Sequence, residues 1–256
     1  MSALRRLARG LAAAVLLALT VGCAAPGGPA AARDPLEPMN RVIWGFNDQA
    51  DQLLVRPVAR AYDATVPEVL RQSISGVLSN LVDPWVAVNQ LLQGKPVLAL
   101  SDLTRFVINT VFGFGGMADV AGALGLEKHH EDFGQTLGRW GVPPGPYLVL
   151  PFLGPSSVRE TAGFVGGLKG DPVWEHASRT YKAAFTGGLI IETRARLLGS
   201  ERLLQGASLD AYSFVRDGYL QRRRNLVYDG DPPPPREDCR LSLLSPPPTA
   251  KTWGRS

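Results

Sequence analysis

The chain of 256 residues is expected to fold as an all-α protein. Three observations support this. Apolar residues recur at three- and four-residue spacing in successive segments, prolines stand where such segments would begin, and no second strand–helix–strand pattern is present. The 21 prolines and 28 glycines are spread unevenly, which favours several short elements joined by pinned turns over a few long helices. A hydrophobic content of 45% is enough for one main domain with a sizeable core.

The chain opens with Arg5, Arg6 and Arg9, an apolar run from Leu11 to Val21, and Gly22 before Cys23. The run is too short to span a bilayer and reads as an export signal over residues 1–22. Leu19-Thr20-Val21-Gly22-Cys23 resembles a bacterial lipobox, with Thr20 where leucine is usual, and implies diacylglycerol modification of Cys23. An ordinary signal peptide cut just downstream is the alternative. Without those three arginines the 27 basic residues fall to 24 against 23 acidic ones, too balanced for a nucleic-acid-binding face. Residues 23–33 are alanine, glycine and proline, a flexible tether.

The folded domain is expected over residues 34–230. Met39, Val42, Ile43 and Phe46 form a helical stripe, with Trp44 off it, either interfacial or in a second packing contact. Pro67 and Pro84 each sit where a helix would start, with Asp83 a suitable N-cap and Gly94 a stop, predicting helices over 67–80 and 84–93. From Pro96 to Phe112, Ser101/Asp102, Arg105 and Asn109 make one narrow polar stripe on an otherwise apolar helix. Such a helix suits either a protein core or lipid with its stripe facing an aqueous channel, and periodicity does not separate the two.

Gly113-Phe114-Gly115-Gly116-Met117-Ala118 nearly fits a dinucleotide fingerprint, but a helix precedes it where that motif needs a strand. A hinge or close helix packing suits it better. His129, His130, Glu131 and Asp132 lack the i, i+4 spacing of a helical metal site and read as a surface loop cluster. Ser156 and Ser157 lack a nucleophile elbow, so a hydrolase has no support.

Trp140 to Val158 carries no charged side chain, yet its five prolines forbid a continuous helix. Such a segment needs shelter in a core or in lipid beside neighbouring helices. Two amphipathic helices follow. Tyr181 to Leu198 has Glu192, Arg194 and Arg196 on its wet side, and Ser208 to Asn225 ends in Arg222 to Arg224. Residues 231–256 are proline-rich and expected to form a disordered tail.

Taken together, DPLEPMNRVIWGFN at 34–47, VRPVARAY at 55–62, VNQLLQGKP at 88–96, TRFVINTVFGFGGMADVAG at 104–122, FGQTLGRWGVPPGPYLVLPFLGPSSVR at 133–159, IETRARLL at 191–198 and DAYSFVRDGYLQRR at 210–223 resemble the MlaA (VacJ) family of Gram-negative outer-membrane lipoproteins. The resemblance implies an all-helical, ring-shaped domain in the inner leaflet of the outer membrane, with a central amphipathic channel. It implies removal of mislocalised phospholipid from the outer leaflet, beside a trimeric porin, for a soluble periplasmic carrier of the MlaC type, with no catalytic residue and no cofactor. A structural lipoprotein that stabilises a porin is the alternative function. On that reading Phe46, Asn47, Asp102, Arg105, Asn109, Phe112, Gly113, Phe114, Gly115 and Gly116 are the expected channel or hinge residues. Trp140, Tyr147, Leu150 and Phe152 mark the expected membrane-embedded apolar segment.

Overall fold

The first four helix starts follow the proline punctuation, and the later ones begin at aspartate or serine caps. A computed structural model describes residues 34–171, 174, 176–199 and 210–233; Cys23, the tether and all but the first three tail residues lie outside these. α1 (Glu37–Ala50) has a proline in its first turn and runs through a π-helical turn (Asp51–Val55) into α2 (Arg56–Thr65). α3 (Glu68–Leu92) and α4 (Pro96–Val111) form an antiparallel pair joined at Gln93-Gly94-Lys95. Then come the single-turn α5 (Val120–Ala123) and α6 (Phe133–Arg139), the latter N-capped by Asp132 accepting from the Gln135 amide. α7 (Val158–Gly170), α8 (Arg179–Leu197) and α9 (Ala211–Val227) complete the described helices, capped by Ser157, Ser178 and Asp210.

The two helices expected over 67–80 and 84–93 are one. Pro84 lies inside α3, and Asp83 does not cap a helix; its carboxylate receives the Lys128 ammonium instead. A proline inside a helix removes one hydrogen bond and clashes with the preceding turn. The packing of α4 along α3, with α6 and α8 also against it, outweighs that local penalty.

Only part of the proline-broken apolar segment is sheltered: it forms a two-stranded antiparallel hairpin, β1 (Tyr147–Leu150) and β2 (Gly154–Ser157), with Tyr147 opposite Ser157 and Leu150 opposite Gly154, whereas residues 140–145 and the turn at 151–153 are exposed. The free edge of β1 is closed by two asparagines of α1 spaced seven residues apart, two helical turns on one face. Asn40 donates to the Tyr147 carbonyl at 3.0 Å and accepts from the Val149 amide at 2.9 Å. Asn47 donates to the Leu150 carbonyl at 2.9 Å and accepts from the Phe152 amide at 2.8 Å. The helix thus presents side-chain amides where a third strand would present backbone.

Beneath this clamp Tyr147, Val149 and Tyr212 form the apolar core, with Ile43, Trp44, Tyr219 and Leu220 packed on it. The core-facing side of α1 is therefore the Asn40, Ile43, Trp44 and Asn47 face. Trp44 makes an edge contact with Tyr212 at 6.0 Å, while Met39, Val42 and Phe46 of the expected stripe point outward. Asp34 is buried beside this core and accepts from Asn40 Nδ2 at 2.9 Å and from the Tyr212 hydroxyl. Burial, then the Asp34 hydrogen bond and charge, push the Tyr212 hydroxyl well above its usual range.

Candidate functional site

Helix α4 is packed the wrong way round for water. Asp102, Arg105 and Asn109 are 0%, 3% and 4% exposed, whereas Val97 and Leu100 of the same helix are 78% and 66% exposed. The polar stripe is consumed by the loop that follows α4. Arg105 donates to the Leu126 carbonyl and to Asp119 Oδ1, the latter at 2.9 Å. Asn109 donates to the same Asp119 oxygen at 2.9 Å and accepts from the Ala121 amide, and Asp102 bonds His129 Nδ1 at 2.9 Å. Asp119 itself N-caps α5. Burial pushes its carboxyl up, but Asn109, the Gly122 amide and Arg105 together hold it below the usual value.

The interior between α3 and this loop is polar as well. Asn80, Asp83, Asn89 and Gln90 are all buried. Burial raises the Asp83 carboxyl despite its Lys128 partner, which also donates to the Ser79 carbonyl at 3.0 Å. Asn89 accepts from Thr136 at 2.8 Å and donates to the Trp85 carbonyl at 2.8 Å.

The glycine-phenylalanine segment is a close-packed turn against α3. A Cβ at Gly76 would fall 2.2 Å from the Gly116 oxygen, and one at Gly116 would fall 2.5 Å from Asn80 Cβ, so both backbones touch only because both residues are glycine. The Gly115 amide bonds the Thr110 carbonyl and Gly116 the Asn109 carbonyl, closing the end of α4. Phe112 and Phe114 stand exposed at its tip, and Phe114 has φ +53°. The hairpin turn has a similar tip. Phe152, 68% exposed with φ +62°, meets Phe46 edge-on at 5.1 Å. Left-handed backbone at a phenylalanine is strained and persists only where surrounding bonds enforce it; at Phe152 the Asn47 bond does so.

Trp140 is exposed and donates from its indole nitrogen to the Leu92 carbonyl at 2.9 Å. Tyr147 lies in the core with an unpartnered hydroxyl, and Leu150 is half-buried at the end of β1. The histidine–acid cluster is dispersed. His129 bonds Asp102, Glu131 accepts from Gln93 and Lys95, and Asp132 pairs with Arg223 at 2.6 and 2.9 Å. Among the described residues no group of three or more metal-ligating side chains is assembled.

Among the described residues, two clefts bear on the site. The larger, about 660 Å³, lies between α2, α3 and α8. Its lining includes Tyr62, Asp63, Glu68, Arg71, Gln72, Ser75, Ser79, Glu192 and Arg196. Arg71 pairs with Asp63, and Arg196 Nε with Glu192 Oε1 at 2.8 Å. The Tyr62 hydroxyl is buried without a partner; burial raises its pKa, Glu192 adds to this, and Arg71 opposes it. None of the sequence-predicted channel or hinge residues lines this cleft. Its signal was legible in α3, where Glu68, Arg71/Gln72, Ser75 and Ser79 recur on one helical face.

The smaller cleft, about 400 Å³, lies between residues 141–144 and α9. Its Arg159 and Glu160 are buried and paired at 2.6 Å, and Arg223 is held by Asp132 and Glu160. Burial first pushes Tyr219 up to about 12. These charges brace α6, α7 and α9 against one another.

The family model for the MlaA lipoprotein matches residues 32–226 of this chain. The chain belongs to that family. The intermembrane phospholipid transport system lipoprotein MlaA of Shigella flexneri is 39% identical over 221 residues, covering 83% of this chain and 86% of the relative. The protein of the same name from Escherichia coli strain K12 is 39% identical over 219 residues, and that from Haemophilus influenzae 34% over 202. A solved chain reported under "Structural basis for maintenance of bacterial outer membrane lipid asymmetry" superposes with a TM-score of 0.69 at 37% identity, covering 76% of this chain and 98% of that one. The family's all-helical fold is the one seen here, with the β-hairpin as its only sheet among the described residues. No helix of the described residues is long and apolar enough to cross a membrane.

Proposed function

We propose that this protein removes mislocalised phospholipid from the outer leaflet of the outer membrane and passes it to a soluble periplasmic carrier, maintaining lipid asymmetry. Its domain sits in the inner leaflet beside a trimeric porin, anchored through a lipid on Cys23. The supporting observation is the inverted helix α4, whose Asp102 and Arg105 are bonded inside the protein while Val97, Leu100, Val107 and Val111 face outward. In water, an outward row of that kind forfeits roughly 25 cal/mol for each Å² of apolar surface left exposed. In acyl chains the penalty vanishes, and the buried stripe avoids placing charge in hydrocarbon. Phe46, Phe112, Phe114, Trp140 and Phe152 contact lipid at the exposed tips, whereas Tyr147 and Leu150 hold the hairpin from within. The polar cleft between α2, α3 and α8 supplies the aqueous path for a head group. Moving a lipid breaks no covalent bond, so no residue is assigned a catalytic role.

The test is surface-exposed phosphatidylethanolamine on intact cells, read with an amine-reactive probe that does not cross the outer membrane. A strain lacking the protein should show more label than its complemented parent, and Ser75→Trp, which fills the cleft, should fail to complement at equal abundance. Unchanged labelling with disturbed porin levels would replace this reading by that of a structural lipoprotein.

A further inference from the structure

The cleft between α2, α3 and α8 carries charges of both signs, a mixture that a simple polar passage for phosphate does not require. Arg71 comes from α3 and Arg196 from α8, against the carboxylates of Asp63, Glu68 and Glu192. The lining is thus net negative by one charge. Each arginine is already engaged, Arg71 by Asp63 and Arg196 by Glu192. Glu192 is 5% exposed, so stripping its partner leaves a buried, uncompensated carboxylate, a costly state. Arg196 is 65% exposed on its side chain, so its pair with Glu192 lies within reach of a ligand.

A phosphodiester alone would have to take an arginine from its carboxylate and leave that carboxylate orphaned in a negative cleft. A head group that carries its own ammonium avoids this. Its phosphate accepts from a guanidinium while its ammonium replaces that guanidinium at the carboxylate, so the exchange strands no charge. The buried Tyr62 hydroxyl, a donor with no acceptor, gains one from the phosphate. A primary ammonium donates three hydrogen bonds to these carboxylates, and a quaternary ammonium donates none.

We infer that this cleft is a head-group site selective for phosphoethanolamine, a phosphate joined to a primary ammonium, over head groups bearing phosphate alone or a quaternary ammonium. The inference rests on the phospholipid-transport reading and names the substrate class that reading leaves open. α3 presents Leu70 and Ile74 on the flank away from the cleft, where both are exposed, so a lipid can keep its chains outside while its head group enters.

The experiment is calorimetric titration of the full-length lipidated protein in detergent with dihexanoyl phosphatidylethanolamine, dihexanoyl phosphatidylglycerol, dihexanoyl phosphatidylcholine and water-soluble glycerophosphoethanolamine. The ethanolamine lipid should bind at least about tenfold more tightly than the other two lipids, the scale of one charge-assisted hydrogen bond. Glu68→Gln, at the exposed start of α3 where folding is not at stake, should shrink that preference, and Glu192→Gln should shrink it further. Arg71→Gln should weaken all three lipids. Glycerophosphoethanolamine should compete, but more weakly than the lipid; equal affinity would assign the site to a soluble head group and overturn the lipid assignment. Equal affinities for the three lipids, unaltered by Glu68→Gln, would overturn the selectivity and leave transport standing. No binding of any lipid by the wild type, with unchanged surface labelling in cells lacking the protein, would overturn both.

Discussion

The hairpin region and the α3–α4 pair solve the problem of burial in opposite ways. Around β1 the protein buries rings, Tyr147, Tyr212 and the flanks of Trp44 and Tyr219, and spends its polar side chains on satisfying backbone through Asn40 and Asn47. Along α4 it buries charge, Asp102 and Arg105, and leaves the aliphatic side chains outside. The first region is a ring core with a single buried carboxylate at its margin, Asp34, held by Asn40 and Tyr212. The second is stable in water only to the extent that its internal hydrogen bonds are complete, and it gains when its outer face is covered by lipid. The difference is that one region turns its rings inward and the other its charges, which leaves Val97, Leu100, Val107 and Val111 on the outer face of α4.

The comparison can be broken most forcefully at Asn40. Asn40→Ala strips the Tyr147 carbonyl, the Val149 amide and Asp34 of a buried partner at once and should lower unfolding stability by about 3 kcal/mol, measured by chemical denaturation in detergent. Arg105→Ala should cost less, about 2 kcal/mol, because Asp119 retains Asn109 and the Gly122 amide. If its transport defect exceeds the loss of folded protein, the stripe of α4 does more than brace the loop.

A pH titration sharpens the contrast further. Burial, followed by the Lys128 and Arg222 charges, holds the His130 imidazole below its ordinary 6.5, against Asp83 and Asp102. A depressed folded-state pKa means that the unfolded chain takes up the proton first, so this contribution to stability is present above 6.5 and is lost as pH falls through the folded value. His130→Gln should therefore flatten the decline in unfolding midpoint between neutral and mildly acidic pH. The smallest effect is expected in the hairpin core. Tyr147→Phe removes a buried hydroxyl with no partner and should leave stability unchanged or raise it by up to about 1 kcal/mol, read as a shift in thermal midpoint.

Helix starts were legible because proline acts locally. Pro96 opens α4 and Pro67 immediately precedes α3. Pro84 carried the same signal and misled, since the packing of α4, α6 and α8 around α3 is invisible in the local text. The stripe of Asp102, Arg105 and Asn109 was legible as a stripe, but not what it bonds, because its partners lie 10 to 27 residues away in an irregular loop. The Glu192 and Arg196 face of α8 was legible as polar but not as wet, since Glu192 is buried and Arg194 pairs with Asp51, and its union with Glu68 and Arg71 across more than 100 residues was not legible.

By itself, then, the sequence determined the all-helical class, the family, the outer ends of α3, the span of α4, the spans of α8 and α9 to within three residues, and a need for shelter over residues 140–158 that the fold meets only at the hairpin, since proline sterics, helical periodicity and ordered motifs act over short distances. The tertiary structure alone decided that this shelter is a hairpin clamped by Asn40 and Asn47, that α4 turns its charges inward, and that arginines and carboxylates from three helices meet in one cleft. Each depends on hydrogen bonds and ion pairs between residues far apart in the chain, whose partners only the fold selects.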